Sequence, residues 1–380
     1  MKRIIIFFTA FFLFFILSDI KVYASEINMQ SVADELQIET DGLDNNIDND
    51  VKAILEENNI TAENTEGISA VTPMMVMEYI VEQIRDKLNK PLKDFMRMMC
   101  MIIVCSVTMN FGDSLSNKSL EKIYGIVSAM LAISVVTSSI SSCVSITAET
   151  LYSGANFMMG YIPVFAGITA SSGCLTAAAS YSTVLLLIAE VTVRISSDII
   201  MPVLSVCMSL GIIESVNPTF RLTSITEGIT KLIKLLLGII MTVFIGLLSI
   251  QSVIGASSDT IGIKAAKYLA ANCIPVVGGA VADAYTTLKS SLGILRGGTG
   301  FFGIAVIFLT VAPTITELGI TRMFISVSEI VSDVMGISSI KTLLKNTSSI
   351  LSMMLSLVIS FSMMLIISTA LVMAIGLDVS

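Results

Sequence analysis

Histidine and tryptophan are both absent from the 380 residues. Without histidine the chain lacks the commonest metal ligand and the usual general base, and a serine–histidine dyad or a His-Glu-x-x-His zinc site is impossible. The sequence also contains no Gly-x-Gly-Asp of the kind that marks an intramembrane aspartyl protease. We therefore predict that the protein is not an enzyme, and we expect no catalytic residue, cofactor, metal or nucleic acid.

Charge is scarce as well, since only 14% of the residues are charged while 54% are hydrophobic. The mean hydropathy of +0.86 is too high for a surface covered by water, so most of the chain is expected to face lipid. The six cysteines form no Cys-x-x-Cys pair and lie among apolar or small residues. They read as small buried side chains and not as a disulfide framework.

The first 24 residues have the three regions of a secretory signal peptide. Lys2 and Arg3 precede an apolar run from Ile4 to Leu17, and Val22-Tyr23-Ala24 provides a small-x-small pattern. We expect cleavage after Ala24, although an uncleaved anchor stays open as an alternative.

An acidic segment over residues 25–71 follows the signal. Residues 26–66 hold twelve acids against a single base, Lys52, and so account for more than the net charge of -8. Acids in such number cannot be buried beside lipid tails. We predict that this segment is exported, solvated, and partly helical or disordered.

The remainder reads as an all-α, polytopic membrane helix bundle. Residues 72–94 have the spacing of an amphipathic helix, which Pro91 is expected to end. A transmembrane domain over residues 95–380 then provides six to eight spans. The small residues between Leu151 and Ser182 either let helices pack closely or line a cavity.

Two similar elements suggest that this domain is duplicated. Tyr161-Ile162-Pro163-Val164-Phe165-Ala166-Gly167 and Cys273-Ile274-Pro275-Val276-Val277-Gly278-Gly279 share a frame and begin 112 residues apart, at 161 and 273. The candidate repeats are residues 123–213 and 235–323. Because proline cannot donate the hydrogen bond that a continuous helix needs, we expect both segments to break at Pro163 and Pro275.

Three charges stand out in the apolar stretch from Thr183 to Ile213. Glu190, Arg194 and Asp198 are spaced by four and share one helix face. Each would cost roughly 2.5–3.5 kcal/mol at the bilayer centre, so Arg194 is expected to pair with its acidic neighbours. The triad then lies at the membrane interface near Pro202, locks helices together inside the bundle, or lines an ion or proton pathway. Asp283 is a further candidate polar residue.

The sequence resembles the stage III sporulation protein AE family of endospore-forming bacteria, with the similarity running from about Met96 to the C-terminus. The motifs that carry the resemblance are Ile200-Met201-Pro202, Phe244-Ile245-Gly246, Ser249-Ile250-Gln251, Ile263-Lys264-Ala265-Ala266-Lys267 and Asn272-Cys273-Ile274-Pro275-Val276-Val277-Gly278-Gly279, with Asp283-Ala284 after them.

The resemblance implies a multi-pass protein of the mother-cell membrane that surrounds the forespore. It would act as a structural or export-gate subunit of a secretion-like channel complex, with its N-terminal segment outside the cytoplasm. Its implied partners are membrane lipid, a secretion-type ATPase and ring-forming proteins. The alternative is a secondary transporter with a midplane site between the two repeats.

Overall fold

The computed structural model describes residues 47, 49–57, 73–114, 118–216, 222–273 and 278–374. Within these residues the chain forms eight α-helices, one π-helical segment and no strand. The α-helices are α1 (Asn49–Glu57), α2 (Pro73–Ser114), α3 (Lys118–Ser171), α4 (Leu175–Arg194), α5 (Met201–Val216), α6 (Thr223–Cys273), α7 (Gly278–Val334) and α8 (Ser338–Ala374), and the π-helical segment is Ile195–Ile200. The predicted signal peptide, most of the acidic segment and Pro275 lie outside the described residues.

The all-α membrane class is confirmed. Five helices in the described part are long and apolar enough to cross a membrane, where the sequence suggested six to eight crossings. Their apolar spans are Ile126–Ser171, Asp198–Val216, Ser224–Ile250, Ser290–Val334 and Ser338–Ala374. The difference arises because polar interruptions taken as loops leave the helix intact. α3, for example, has 54 residues, and at about 1.5 Å per residue it is far longer than the roughly 30 Å hydrocarbon core.

α8 forms the centre of the bundle. In the 18-residue apolar window of α8, 72% of the residues are buried, against 22% in the corresponding window of α6. Close packing against α8 depends on small residues, because a Cβ added to Gly154 of α3 would lie 2.9 Å from the Phe361 ring. Ala177 and Ala178 are buried as well. These contacts favour the packing interpretation of the small-residue stretch over a cavity lining.

α2 runs parallel to the second half of α7. Tyr79 contacts Leu309, and the rings of Phe95 and Phe324 stack with centroids 4.8 Å apart. Further along, the Ser106 hydroxyl lies 3.5 Å from the sulfur of Met335. Both helices therefore advance together along their length.

Pro91 does not end the amphipathic helix, contrary to the sequence-based expectation. It is buried inside α2, which continues to Ser114. A proline in a helix can cause a bend without ending it. Here the residues on both sides of Pro91 pack on α7, and this tertiary contact maintains the helix.

Part of the acidic segment packs on the bundle, although we expected a solvated chain. Ile47, Val51 and Leu55 recur at intervals of four and are buried in the main apolar cluster, whereas Glu56 is exposed. This short stretch buries an apolar stripe and leaves Glu56 in solvent. Because acidic residues dominate the segment, its composition alone did not indicate this apolar stripe.

The connections after α3 and α7 are two turns of the same type. Gly173 and Gly336 both have positive φ, of 86° and 75°. The amide of Cys174 bonds the Thr169 carbonyl, and that of Ile337 bonds the Ser332 carbonyl. Glycine suits this left-handed position because it carries no Cβ. Each turn reverses the chain, so that α4 returns along α3 and α8 along α7.

Candidate functional site

The predicted charged triad lies on the outside of the chain. Arg194 donates from Nη2 to Oε1 of Glu190 at 2.8 Å and from Nε to the same oxygen at 3.0 Å. The two side chains are 71% and 60% exposed, and Asp198 is exposed as well. The Arg194–Glu190 pair forms as expected, but its exposure argues against a lock between helices of this chain. The triad separates the short apolar stretch Leu175–Leu187 from the span that begins at Asp198.

Pro202 explains the π-helical turn beside this triad. A proline at position 202 has no N–H for the carbonyl four residues earlier, and its ring crowds that carbonyl. The segment Ile195–Ile200 widens into a π-helix immediately before it. Such a widened turn accommodates an interrupted hydrogen-bond ladder without ending the helix.

The two predicted proline breaks are not equivalent. Pro163 is exposed and lies inside α3, which runs unbroken from Lys118 to Ser171. The expectation of a helix break there is wrong, because the buried neighbours Tyr161, Ile162 and Phe165 keep that face of α3 packed. Pro275 falls between the end of α6 and the start of α7, outside the described residues. Asp283 lies in the second turn of α7, and the description does not extend to its side chain.

A different proline, Pro313 in the middle of α7, is surrounded by polar contacts. It leaves the Leu309 carbonyl without the usual helical donor. The Tyr79 hydroxyl of α2 donates to that carbonyl at 3.3 Å. Burial, and to a lesser extent the charge of Glu82, raises the pKa of Tyr79 to about 12. The phenol therefore stays protonated and able to donate at physiological pH.

Two further polar contacts lie one turn along α7. The hydroxyls of Thr314 and Thr150, on α7 and α3, are 2.6 Å apart. The buried carboxylate of Glu317 lies 3.4 Å from the ammonium of Lys90 on α2. Lys90 also donates to the Ser142 hydroxyl of α3. These contacts join three helices around one proline.

We call this set the Pro313 seam, and it consists of Pro313, Tyr79, Thr150, Thr314, Lys90, Ser142 and Glu317. Lys90 is shared between Glu317 and Ser142, and the two threonine hydroxyls bond each other, so these groups can make and break interhelical hydrogen bonds. A proline removes one backbone bond from α7, and the neighbouring helices supply the replacement. The arrangement allows α7 to bend at this point while its polar groups remain paired.

Sequence reasoning missed the seam. In the sequence, Glu317 follows the apolar run Phe301–Ile315 and precedes the apolar run Met323–Ile337, so it resembles a residue between two spans. The available signal was a Pro-Thr pair followed by a glutamate within one turn, inside a long apolar region. Tyr79 and Lys90 lie 230 and 227 residues away from their partners, and no local pattern identifies them.

A second polar region lies where α6 and α8 begin. Lys345 pairs with Glu227 at 2.7 Å, and Lys234 donates to the Ser352 hydroxyl at 2.5 Å. From the first contact to the second, the residue number rises by seven in both helices, so α6 and α8 run parallel here. Polar contacts between neighbouring helices, such as this ion pair and this hydrogen bond, help to set the register of the two helices.

Comparison with known proteins identifies relatives. A sequence model of the family described as Stage III sporulation protein AE matches residues 56–376. The match begins well upstream of Met96, where the resemblance had been placed from motifs alone. The protein named Stage III sporulation protein AE of Bacillus subtilis (strain 168) is 23% identical to the chain over 223 residues. The aligned part covers 58% of this chain and 56% of that relative, so the chain spans just over half of the relative's length. No solved structure matches the chain.

Proposed function

The chain belongs to the stage III sporulation protein AE family, and on that premise we propose that it is a membrane subunit of the complex that joins the mother cell to the forespore. In this proposal the chain is a structural or export-gate component. The observation that carries the proposal is the family match, which includes every helix from α2 to α8. A role in sporulation follows from the family, and the channel role is the further step.

The Pro313 seam supports the gate component of the proposal. A gate subunit needs a helix with two conformations of similar free energy. A proline-interrupted helix whose hydrogen bonds can exchange satisfies that need. Tyr79, Lys90 and Glu317 would hold α7 in one arrangement. Through Lys90 on α2 and Thr150 on α3, a change in α7 would be transmitted to these two neighbouring helices.

The location and partners proposed are those that the family resemblance implies. The chain would lie in the mother-cell membrane around the forespore, with its N-terminal segment outside the cytoplasm. It would contact a secretion-type ATPase, ring-forming proteins and membrane lipid. Only 22% of the 18-residue apolar window of α6 is buried, which leaves room on this helix for lipid or for another subunit.

The transporter alternative depended on two equivalent proline-broken helices facing each other across a midplane site. Pro163 lies exposed in an unbroken helix, so one of the two breaks on which that alternative was based is absent. We therefore do not favour it.

The proposal is tested in sporulating cells that produce an affinity-tagged chain in place of the natural copy. Mild-detergent purification should recover the ATPase and ring-forming proteins together with the tagged chain. Recovery of the chain alone, together with solute transport by the purified protein in vesicles, would support the transporter instead.

The gate component has its own variant pair. Pro313→Ala restores the missing backbone donor and should lower the yield of heat-resistant spores while abundance and co-purification stay unchanged. Pro163→Ala is the matched control, since it removes an exposed proline from the interior of another long helix. Equal yields of heat-resistant spores from the two variants would show that the Pro313 seam has no part in gating.

A further inference from the structure

Arg296 is a buried cation in α7 with weak partners. The residue is 3% exposed. Its Nη1 lies 3.4 Å from the Cys174 sulfur and its Nη2 lies 3.4 Å from the Met373 carbonyl oxygen. Its Nε has no hydrogen-bond partner. Within the described residues, no carboxylate forms an ion pair with this guanidinium.

Among the residues that the structure describes, this arrangement leaves the charge of Arg296 uncompensated. A guanidinium carries five N–H donors and remains protonated in proteins. Burying an unpaired charge is unfavourable, and a neutral thiol and one long carbonyl contact offset only part of that cost. The last carbonyls of α8 have the sign that suits a cation, but they do not supply a full negative charge. The site is therefore complete only when it holds an anion.

The position of Arg296 indicates which anions are close. Arg296 contacts Cys174, which lies in the turn that joins α3 to α4, and Met373, one residue before the last described residue of α8. A turn that reverses the chain between two apolar helices belongs at a membrane face, because its backbone groups cannot face lipid tails. The contact with this turn puts Arg296 near the depth at which lipid phosphates lie.

The two faces of α7 beside Arg296 differ in packing. A Cβ added to Gly300 would collide with the Met373 side chain, so the helix face toward α8 is closed. A Cβ on Gly293 or Gly297 would meet nothing within 4 Å. Gly293 lies one turn before Arg296 and Gly297 directly follows it. Because Arg296 is only 3% exposed where it lies, its side chain has to turn toward these two glycines to meet a headgroup.

We propose that Arg296 binds a phosphate group, supplied by an anionic lipid at this membrane face. The planar fork of N–H donors matches phosphate oxygens, and the Nε–H without a partner is a donor that a phosphate would satisfy. The N-terminus of α4, directly after Cys174, adds a positive helix dipole on the same side. The bound phosphate neutralises Arg296, which packs between the turn after α3 and the end of α8.

The test uses the full chain in vesicles of phosphatidylcholine alone or of phosphatidylcholine and phosphatidylglycerol in equal parts. Lipid that stays bound after extraction is measured by native mass spectrometry, and the melting temperature is measured in each vesicle. Phosphatidylglycerol should stay bound to the natural chain and raise its melting temperature. Arg296→Gln should lower the retained amount by about tenfold or more, the loss expected for one hydrogen bond to a charged group.

Two variants separate lipid binding from folding. Arg296→Lys keeps the charge without the fork and should retain an intermediate amount of lipid. Arg97→Gln removes an exposed arginine paired with Asp94, and it should retain as much lipid as the natural chain. Because each variant is compared with itself in the two vesicles, a general loss of stability does not imitate the result.

Three outcomes decide the source of the anion. A melting-temperature rise with inorganic phosphate equal to that with phosphatidylglycerol, lost in Arg296→Gln, supports the phosphate site and overturns its assignment to lipid. Unchanged phosphatidylglycerol retention in Arg296→Gln overturns the proposal. If Asp378→Asn destabilises the chain as much as Arg296→Gln does, and neither alters lipid retention, the counter-ion comes from the chain itself and the proposal is also overturned.

Discussion

At the scale of single residues, the Pro313 seam shows how one missing N–H shapes its surroundings. A carbonyl left without a donor in the apolar part of a bundle must be satisfied by protein. Tyr79 satisfies the Leu309 carbonyl from a helix that begins more than two hundred residues earlier. The tyrosine hydroxyl and the proline therefore depend on each other.

That dependence predicts a specific coupling between two substitutions. Tyr79→Phe should destabilise the folded chain by about 1 kcal/mol, because it leaves the Leu309 carbonyl unpaired. In a Pro313→Ala background the same change should cost much less, since the alanine amide restores the helical donor. Thermal unfolding of the four proteins in one detergent measures the cycle.

Tyr152→Phe is the control, because Tyr152 is a large exposed side chain of α3. It should leave stability unchanged in both backgrounds. Equal costs of Tyr79→Phe with and without Pro313 would show that the hydroxyl does not serve the proline-freed carbonyl.

The raised pKa of Tyr79 predicts a pH dependence with a definite sign. The folded chain holds the phenol proton more tightly than the unfolded chain, whose pKa is near the ordinary 10.0. The stabilisation is therefore fully present below pH 10 and is lost as the pH rises toward about 12. The melting temperature of the natural chain should fall more steeply over this interval than that of Tyr79→Phe. Parallel curves for the two proteins would contradict the assignment.

At the scale of helices, register is fixed by contacts far apart in the sequence. α2 and α7 run parallel through the Phe95–Phe324 stack and the Lys90–Glu317 pair. Adjacent helices joined by a short turn are antiparallel, so a parallel pair needs intervening chain to return. Here α3 to α6 provide it. The amphipathic helix is thereby part of the bundle and extends well beyond Pro91.

The parallel arrangement predicts which cysteine pairs cross-link. In a chain whose natural cysteines are replaced by alanine, Phe95→Cys with Phe324→Cys should form a disulfide in mild oxidant. Phe95→Cys with Leu309→Cys should not, because Leu309 pairs with the other end of α2. Gel mobility with and without reductant measures both. Cross-linking of the second pair alone would show that α2 does not run parallel to α7 in this register.

At the scale of the whole molecule, apolar surface is divided unevenly between helices. α8 is central, whereas the apolar span of α6 has large aliphatic side chains on its outside, including Leu235, Ile239 and Val243. Apolar composition is the same signal in both helices. In α8 it reflects contact with protein, and in α6 it reflects contact with lipid or with another subunit.

This division predicts how α6 responds to assembly. Single cysteines at Leu235, Ile239 and Val243, in the cysteine-free chain, should react with a lipid-soluble maleimide in the purified protein. A cysteine at Leu351, which is fully buried in α8, should not react. In sporulating cells the α6 positions should become protected if this face contacts a subunit of the complex. Unchanged reactivity there would leave the face to lipid.

The sequence by itself determined the class of molecule. Scarce charge and long apolar runs require a helical membrane bundle, because lipid satisfies no backbone hydrogen bond. The motifs around Pro202 and Asn272-Cys273 were enough to indicate the family, which the match over residues 56–376 then showed. The pairing of Arg194 with Glu190 was also predictable, since both partners lie on one helix four residues apart.

The tertiary structure decided which proline matters and where helices end. Pro91, Pro163 and Pro313 present the same local chemistry, and each lies inside a helix that continues past it. Only packing determines whether the proline is buried, exposed, or matched to a donor such as Tyr79. The same holds for charged residues. Glu190 and Glu317 both lie in apolar stretches of the sequence, yet Glu190 is exposed and Glu317 is buried against Lys90. The partners lie hundreds of residues away, and their approach depends on the fold of the whole chain.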